Sequence, residues 1–135
     1  MKKILFAALG LLISLGSAFA QQQQMSEEER QKKVDEFIQN EVARLENTLK
    51  LEDWQVFYVD SILNHDYHAL QDELKGLQDS KVSNVDLYSI TNDKWEEQIF
   101  NAMHGILNEQ QWEKYLKTGA GRNKKARDKR KAKHN

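Results

Sequence analysis

Three side chains with metal-ligating chemistry fall at helical spacing near the middle of this 135-residue chain: His65, His68 and Asp72. Positions i, i+3 and i+7 share one face of a helix, so two neutral imidazoles and a carboxylate could hold Zn²⁺ or Cu²⁺ there, with His104 as a recruit from a later helix. The same residues also read as ordinary solvated side chains on an acidic helix. No cysteine and no His-x-x-x-His pattern reinforces the site, so the solvated reading is adopted and no metal or cofactor is expected. Nucleophilic catalysis has as little to build on. The chain has no cysteine and no Gly-x-Ser-x-Gly elbow, Ser61, Ser83 and Ser89 lack a suggestive His/Asp context, and there is no Gly-rich phosphate loop. No catalytic residue is assigned and an enzyme is not expected.

The more telling pattern is a repeat. Leu51-Glu-Asp-Trp-Gln55 and Leu107-Asn-Glu-Gln-Gln111 are both Leu followed four residues later by Gln, each where a helix should begin. In the second copy Asn108 is a good N-cap, and Gln111 at the third helical position can reach back to the Asn108 amide, making a capping box. Leu107 can pack on Trp112 as a hydrophobic staple. In the first copy the Leu51/Gln55 frame is kept with Val56 in the Trp112 position, but Glu52 is a poor cap. The repeat is therefore read as a helix-start device.

These motifs lie in a chain with no proline, which leaves long helices unobstructed. The predicted class is all-α, with four helices. Helix 1, about Ser26 to Thr48, opens on a Ser26/Glu29 capping box and carries a stripe of Val34, Ile38, Val42, Leu45 and Leu49, with Phe37 beside it. Helix 2, about Glu52 to Gln78, has a full apolar stripe of Val56, Val59, Leu63, Tyr67, Leu70, Leu74 and Leu77. Helix 3, about Val85 to Ile106, carries Val85, Tyr88, Trp95, Ile99, Met103 and Ile106, with a break expected near Thr91. Helix 4 starts at Asn108 and ends near Gly119 and Gly121. Helix 2 has a second stripe, Leu51, Trp54, Tyr58 and Ile62, well round from the first. Once the first is assigned to the core, the second is left to bind a client or a second copy. Trp95 and Trp112 are read as core.

The ends of the chain differ from its middle. Lys2 and Lys3, an apolar run from Ile4 to Leu15 and Ala18-Phe19-Ala20 read as a signal peptide over 1–20 cleaved after Ala20, which predicts export to the periplasm. Residues 21–25 are read as a disordered leader and 26–118 as the helical domain. The formal charge of −1 hides an asymmetry: residues 21–116 hold 9 Lys/Arg against 20 Asp/Glu, and residues 117–135 hold 9 Lys/Arg against Asp128 alone. The region 119–135, with Arg122, Lys124, Lys125, Arg127, Lys129, Arg130, Lys131 and Lys133, has no apolar side chain larger than Ala. It is read as a basic disordered tail, either a solvated solubilising extension or a site of electrostatic contacts, with anionic lipid head groups or the acidic body of a second copy as partners and no nucleic acid.

Together the repeat, its 56-residue spacing, the export signal and the helical layout resemble the periplasmic Spy/CpxP family, whose signature is two copies of Leu-Thr-x-x-Gln. The match falls on Leu51 with Gln55 and on Leu107 with Gln111; Glu52 and Asn108 stand where the family has Thr. The resemblance implies a thin, bent helical-hairpin arrangement that dimerises into a cradle. It also implies an ATP-independent chaperone for unfolding envelope proteins, an envelope-stress regulator or a metal-responsive binding protein. A structural envelope protein tethered by its basic tail is the remaining alternative. The family's cradle is basic where clients bind, whereas this body is acidic.

Overall fold

The computed structural model describes residues 25–135; the expected signal peptide, and the expected leader except for Met25, lie outside them. Every element among the described residues is helical. In chain order they are α1 (Glu27–Leu49), α2 (Asp53–Asp79), α3 (Val85–Ile106), α4 (Glu109–Tyr115), a wide helical turn (Leu116–Ala120) and α5 (Gly121–His134). None of the helices is long and apolar enough to cross a membrane.

The chain divides into two compact units within α1. In the described part of the first, the Ser26 hydroxyl accepts from the Glu29 amide at 3.1 Å and the Glu29 carboxylate accepts from the Ser26 amide at 3.4 Å, the expected capping box. Arg30 and Gln31 then pair with Glu27 one turn back.

The second unit, Ile38–Asn135, holds the core. Ile38, Leu45 and Leu49 of α1, Val59, Leu63, Tyr67 and Leu70 of α2, Tyr88, Ile99 and Met103 of α3 and Tyr115 of α4 are buried. These are stripe positions of the periodic pattern, because burying one face of each amphipathic helix is what removes its apolar area from water. Helices α2 and α3 run antiparallel: along α2 the cross-helix partners of Gln55, Asp66, Tyr67 and Glu73 are Ile106, Gln98, Glu96 and Lys94.

Two turns use a device the sequence does not advertise. Lys50 and Lys81 follow α1 and α2 in left-handed backbone, with φ of 53° and 56°. The amide that follows each of these lysines returns to the helix, Leu51 to the Glu46 carbonyl (3.2 Å) and Val82 to that of Leu77 (3.0 Å), closing Schellman motifs on lysine instead of glycine. Helix α3 is capped by Asn84, whose side chain accepts from the Asp86 amide at 3.0 Å. It does not break at Thr91, because the Thr91 hydroxyl donates back to the Leu87 carbonyl at 2.8 Å and so stays within the helix.

The tail is the main correction. Residues 121–134, expected to be disordered, form α5. Lys, Arg and Ala are good helix formers, and α5 docks by charge rather than by an apolar face. Lys124 reaches Glu97 at 2.5 Å, Arg127 reaches Glu97 at 3.1 Å, and Arg130 grips Asp93 through two nitrogens at 2.7 and 2.8 Å. Helix α5 therefore lies antiparallel along α3. The reversal from α4 is made at Gly119, whose φ of 107° suits glycine, and Gly121 packs where an added Cβ would stand 3.0 Å from the Leu116 carbonyl oxygen.

Candidate functional site

The two motif glutamines meet. Gln55 and Gln111, almost wholly buried at 3% and 7% exposure, face each other as a reciprocal amide pair: Gln55 Nε2 donates to Gln111 Oε1 at 2.7 Å and Gln111 Nε2 donates to Gln55 Oε1 at 3.0 Å. Each oxygen also accepts the N-cap amide of its own helix, Glu52 at 2.9 Å and Asn108 at 3.1 Å. Each nitrogen also reaches a carbonyl at the end of another helix. Gln55 takes Ile106 of α3 at 3.0 Å, and Gln111 takes Leu49 of α1 at 3.4 Å, with Lys50 at 3.5 Å. An amide has two donor hydrogens and two acceptor lone pairs. Both glutamines use all of theirs, and the clasp ties together the ends of α1 and α3 and the starts of α2 and α4.

Both copies are capping boxes. Asn108 Oδ1 accepts from the Gln111 amide at 2.9 Å, as expected. Glu52, read as a poor cap, nevertheless forms a box with Gln55. Its carboxylate also takes the Trp54 indole N–H at 2.5 Å, which fixes that ring.

Beside the clasp, on the first turns of α2, three aromatic side chains stand in solvent: Trp54 at 51% exposure, Phe57 at 67% and Tyr58 at 50%. They touch edge to face, Trp54 to Tyr58 at 6.2 Å and Phe57 to Tyr58 at 5.7 Å between ring centres. Leu51 and Ile62, the other members of the second α2 stripe, are half-buried. Phe57 is the most exposed side chain of the group, and the sequence analysis assigns it to neither stripe of α2. Its spacing of three from Trp54 was the available signal. A second apolar cluster, Val85, Leu87 and Ile90, is exposed on the first turns of α3, so Val85, placed on the α3 stripe by its spacing, lies outside the core because it sits at the helix start. Since α2 and α3 are antiparallel, with Ile106 of α3 opposite Gln55, the two clusters stand toward opposite ends of the hairpin, about 30 Å apart at 1.5 Å per residue.

Metal chemistry is not assembled. Among the described residues no group of three or more His, Asp or Glu side chains is placed to hold an ion, so His65, His68 and Asp72 do not converge. Exposed His65 instead meets buried Asp66 at 2.7 Å, and Asp66 is also held by Gln98 at 3.1 Å. His104 is committed elsewhere, stacked on Trp112 at 4.1 Å between ring centres. Trp112 in turn meets Phe100 and Tyr115 in an aromatic cluster.

The remaining concentration of polar chemistry is internal. Glu41 and Arg44 of α1 are ion-paired, the Tyr67 hydroxyl donates to Glu96 at 3.4 Å, and Arg127 is buried at 7% exposure, with its guanidinium 5.4 Å from the Phe100 ring centre. Burial pushes the Glu96 carboxyl up, against the pull of Arg127 and the Tyr67 hydrogen bond. Burial also raises the Tyr67 and Tyr115 phenols, with Glu96 and Glu41 adding to it, so both stay protonated. Glu97 also feels burial raising it, but hydrogen bonds from Lys124 and Arg127 outweigh this and hold it below the usual range. The cluster draws side chains from all five helices.

Of the tail residues, Lys124, Arg127 and Arg130 face the body as ion-pair partners. Arg122, Lys125, Lys129, Lys131 and Lys133 are exposed. Compared with protein-family models, curated proteins and solved structures, the chain matches none.

Proposed function

We propose that the protein is an exported, non-enzymatic binding protein, a periplasmic holdase that captures partly unfolded envelope proteins without nucleotide. The observation that carries this reading is the exposed Trp54–Phe57–Tyr58 cluster, braced at the start of a helix whose opposite face is already committed to the core. Large aromatics held in water at a rigid helix start are surface for a partner. The likeness to Spy/CpxP proteins, which rests on the repeated motif, its spacing and the signal-like N-terminus, supports the same role.

The magnitude fits a holdase. The exposed parts of three aromatics amount to on the order of 300 Å², worth about 7 kcal/mol if fully covered. Association itself costs about 4–15 kcal/mol. The cluster alone therefore binds weakly and reversibly, as a chaperone that must release without ATP requires. A lasting homodimer needs about 800 Å² from each subunit. The expected dimer, in cradle form, would take this cluster only as part of a larger contact.

The test is suppression of aggregation of a reduced or heated client without nucleotide, comparing the parent with Trp54→Ser/Phe57→Ser/Tyr58→Ser. The variant should keep its helical spectrum and lose most of the protection. A folded variant that protects as well as the parent would overturn the reading. If it instead changes from dimer to monomer by light scattering while still protecting, the cluster belongs to a subunit contact.

A further inference from the structure

We propose that the outer face of α5 is a docking strip for the surface of an anionic phospholipid bilayer. At about 100° per residue, the side chains of α5 divide into opposed sets. Lys124, Arg127 and Arg130 form the set that grips Glu97 and Asp93 of α3. Arg122, Lys125, Lys129 and Lys133, spaced 3, 4 and 4 apart, fall in one narrow sector on the other side, all exposed. The salt bridges of the described residues involve none of these four. They line a straight helical edge about 16 Å long, at 1.5 Å per residue.

The occupant follows from charge and shape. Helix α5 carries no apolar side chain larger than Ala, so it offers nothing to insert and its contact is purely electrostatic. A straight row of cations suits a flat anionic surface, whose mobile head groups can gather beneath fixed charges without a matching groove. The acidic body, with 9 Lys/Arg against 20 Asp/Glu over residues 21–116, is repelled by the same surface and confines contact to α5. A second copy is the poorer fit, because the acidic pair that grips such a helix, Asp93 and Glu97 of α3, is already taken by its own α5, and its other exposed carboxylates, such as Glu28, Asp60 and Glu109, stand on three different helices. The inner ion pairs hold the helix formed before it meets lipid, so little ordering is left to oppose binding.

The experiment uses the whole exported chain and two vesicle types, phosphatidylcholine alone and an equal mixture with phosphatidylglycerol, in co-sedimentation at low and physiological salt. The parent should bind the mixed vesicles only, and more weakly as salt rises. Arg122→Gln/Lys125→Gln/Lys129→Gln/Lys133→Gln should retain its helical spectrum and bind several hundred-fold more weakly, at about five-fold per cation. Lys33→Gln/Lys81→Gln/Lys114→Gln/Lys117→Gln, with the same change in net charge, should bind within a few-fold of the parent. Should the first variant lose α5, Lys125→Gln/Lys129→Gln gives the same reading at about 25-fold. The proposal is overturned if the parent binds both vesicle types alike or neither, if the two four-fold variants are equally impaired, or if removing the strip alters only the oligomeric state or binding to duplex nucleic acid. None of these outcomes depends on aggregation suppression, so the strip and the holdase reading stand or fall separately.

Discussion

Gln55 and Gln111 illustrate how a short motif can be structural without being a core hydrophobe. Each amide satisfies four groups that would otherwise be buried and unpaired: its partner's two polar atoms, its own N-cap amide and a carbonyl at the end of another helix. A single Gln55→Ala or Gln111→Ala substitution strands several of these and is expected to cost about 2–4 kcal/mol by urea denaturation. Replacing both by Ala removes the two amides together. The double variant should lose less than the sum of its singles, with a coupling of about 1–3 kcal/mol. Strict additivity would show that the two amides act independently. Asn108→Ala, which removes only the cap, should cost about 1 kcal/mol.

Two features govern the helices as elements. The first is the pair of lysines in left-handed backbone. A Cβ there strains the turn after α2, so Lys81→Gly is expected to raise stability by about 0.5–1 kcal/mol, visible as a higher urea midpoint at unchanged slope. The second is the electrostatic docking of α5. Glu97 is held below its ordinary value of 4.5 by Lys124 and Arg127. A carboxylate depressed in the folded state contributes stability that is present above the unfolded value and lost as pH falls through the folded one. Glu96 runs the other way: raised by burial, it opposes folding at neutral pH, and that opposition fades on acidification. Acid should therefore free α5 while the interior beneath it is spared. The expected signature is a loss of helical signal from its 14 residues, about a tenth of the chain, as pH drops below 4.5, with Glu97→Gln showing the weakened docking already at neutral pH.

At the scale of the whole molecule, the charge asymmetry is spent internally as well as displayed. The basic end folds back on the acidic body through three of its cations and shows the others to solvent. Truncation after Ala120 removes the partners of Glu97 and Asp93 and uncovers Phe100, over which Arg127 lies. It should lower stability by about 1–2 kcal/mol, a fall in melting temperature of about 5–10 °C. An unchanged melting temperature would mean that α5 rides on the body without supporting it. Raised salt should narrow the gap between the full and truncated chains, because it screens the pairs that make the difference.

Helical class, the limits of α1 to α3 to within about one residue, the core stripes and the capping role of Asn108 follow from the sequence by itself, since period, caps and breakers act over a few neighbouring residues. The same local rules marked Trp54 and Tyr58 as surplus to the core, and both are exposed. Tertiary structure alone decided the rest. Gln55 and Gln111 look like two separate caps in sequence; their pairing across 56 residues exists only once four helix ends converge. Glu52, a poor cap by type, still starts a helix because the buried Gln55 accepts from its amide. The fate of the tail was the furthest from local reach. A segment without apolar residues has no periodicity that marks a buried face, and α5 becomes an ordered helix only because α3 places Asp93 and Glu97 one turn apart opposite Arg130, Arg127 and Lys124. Short-range order is written in neighbouring residues, whereas the energy of a long-range charge pair depends on a distance that no stretch of sequence contains.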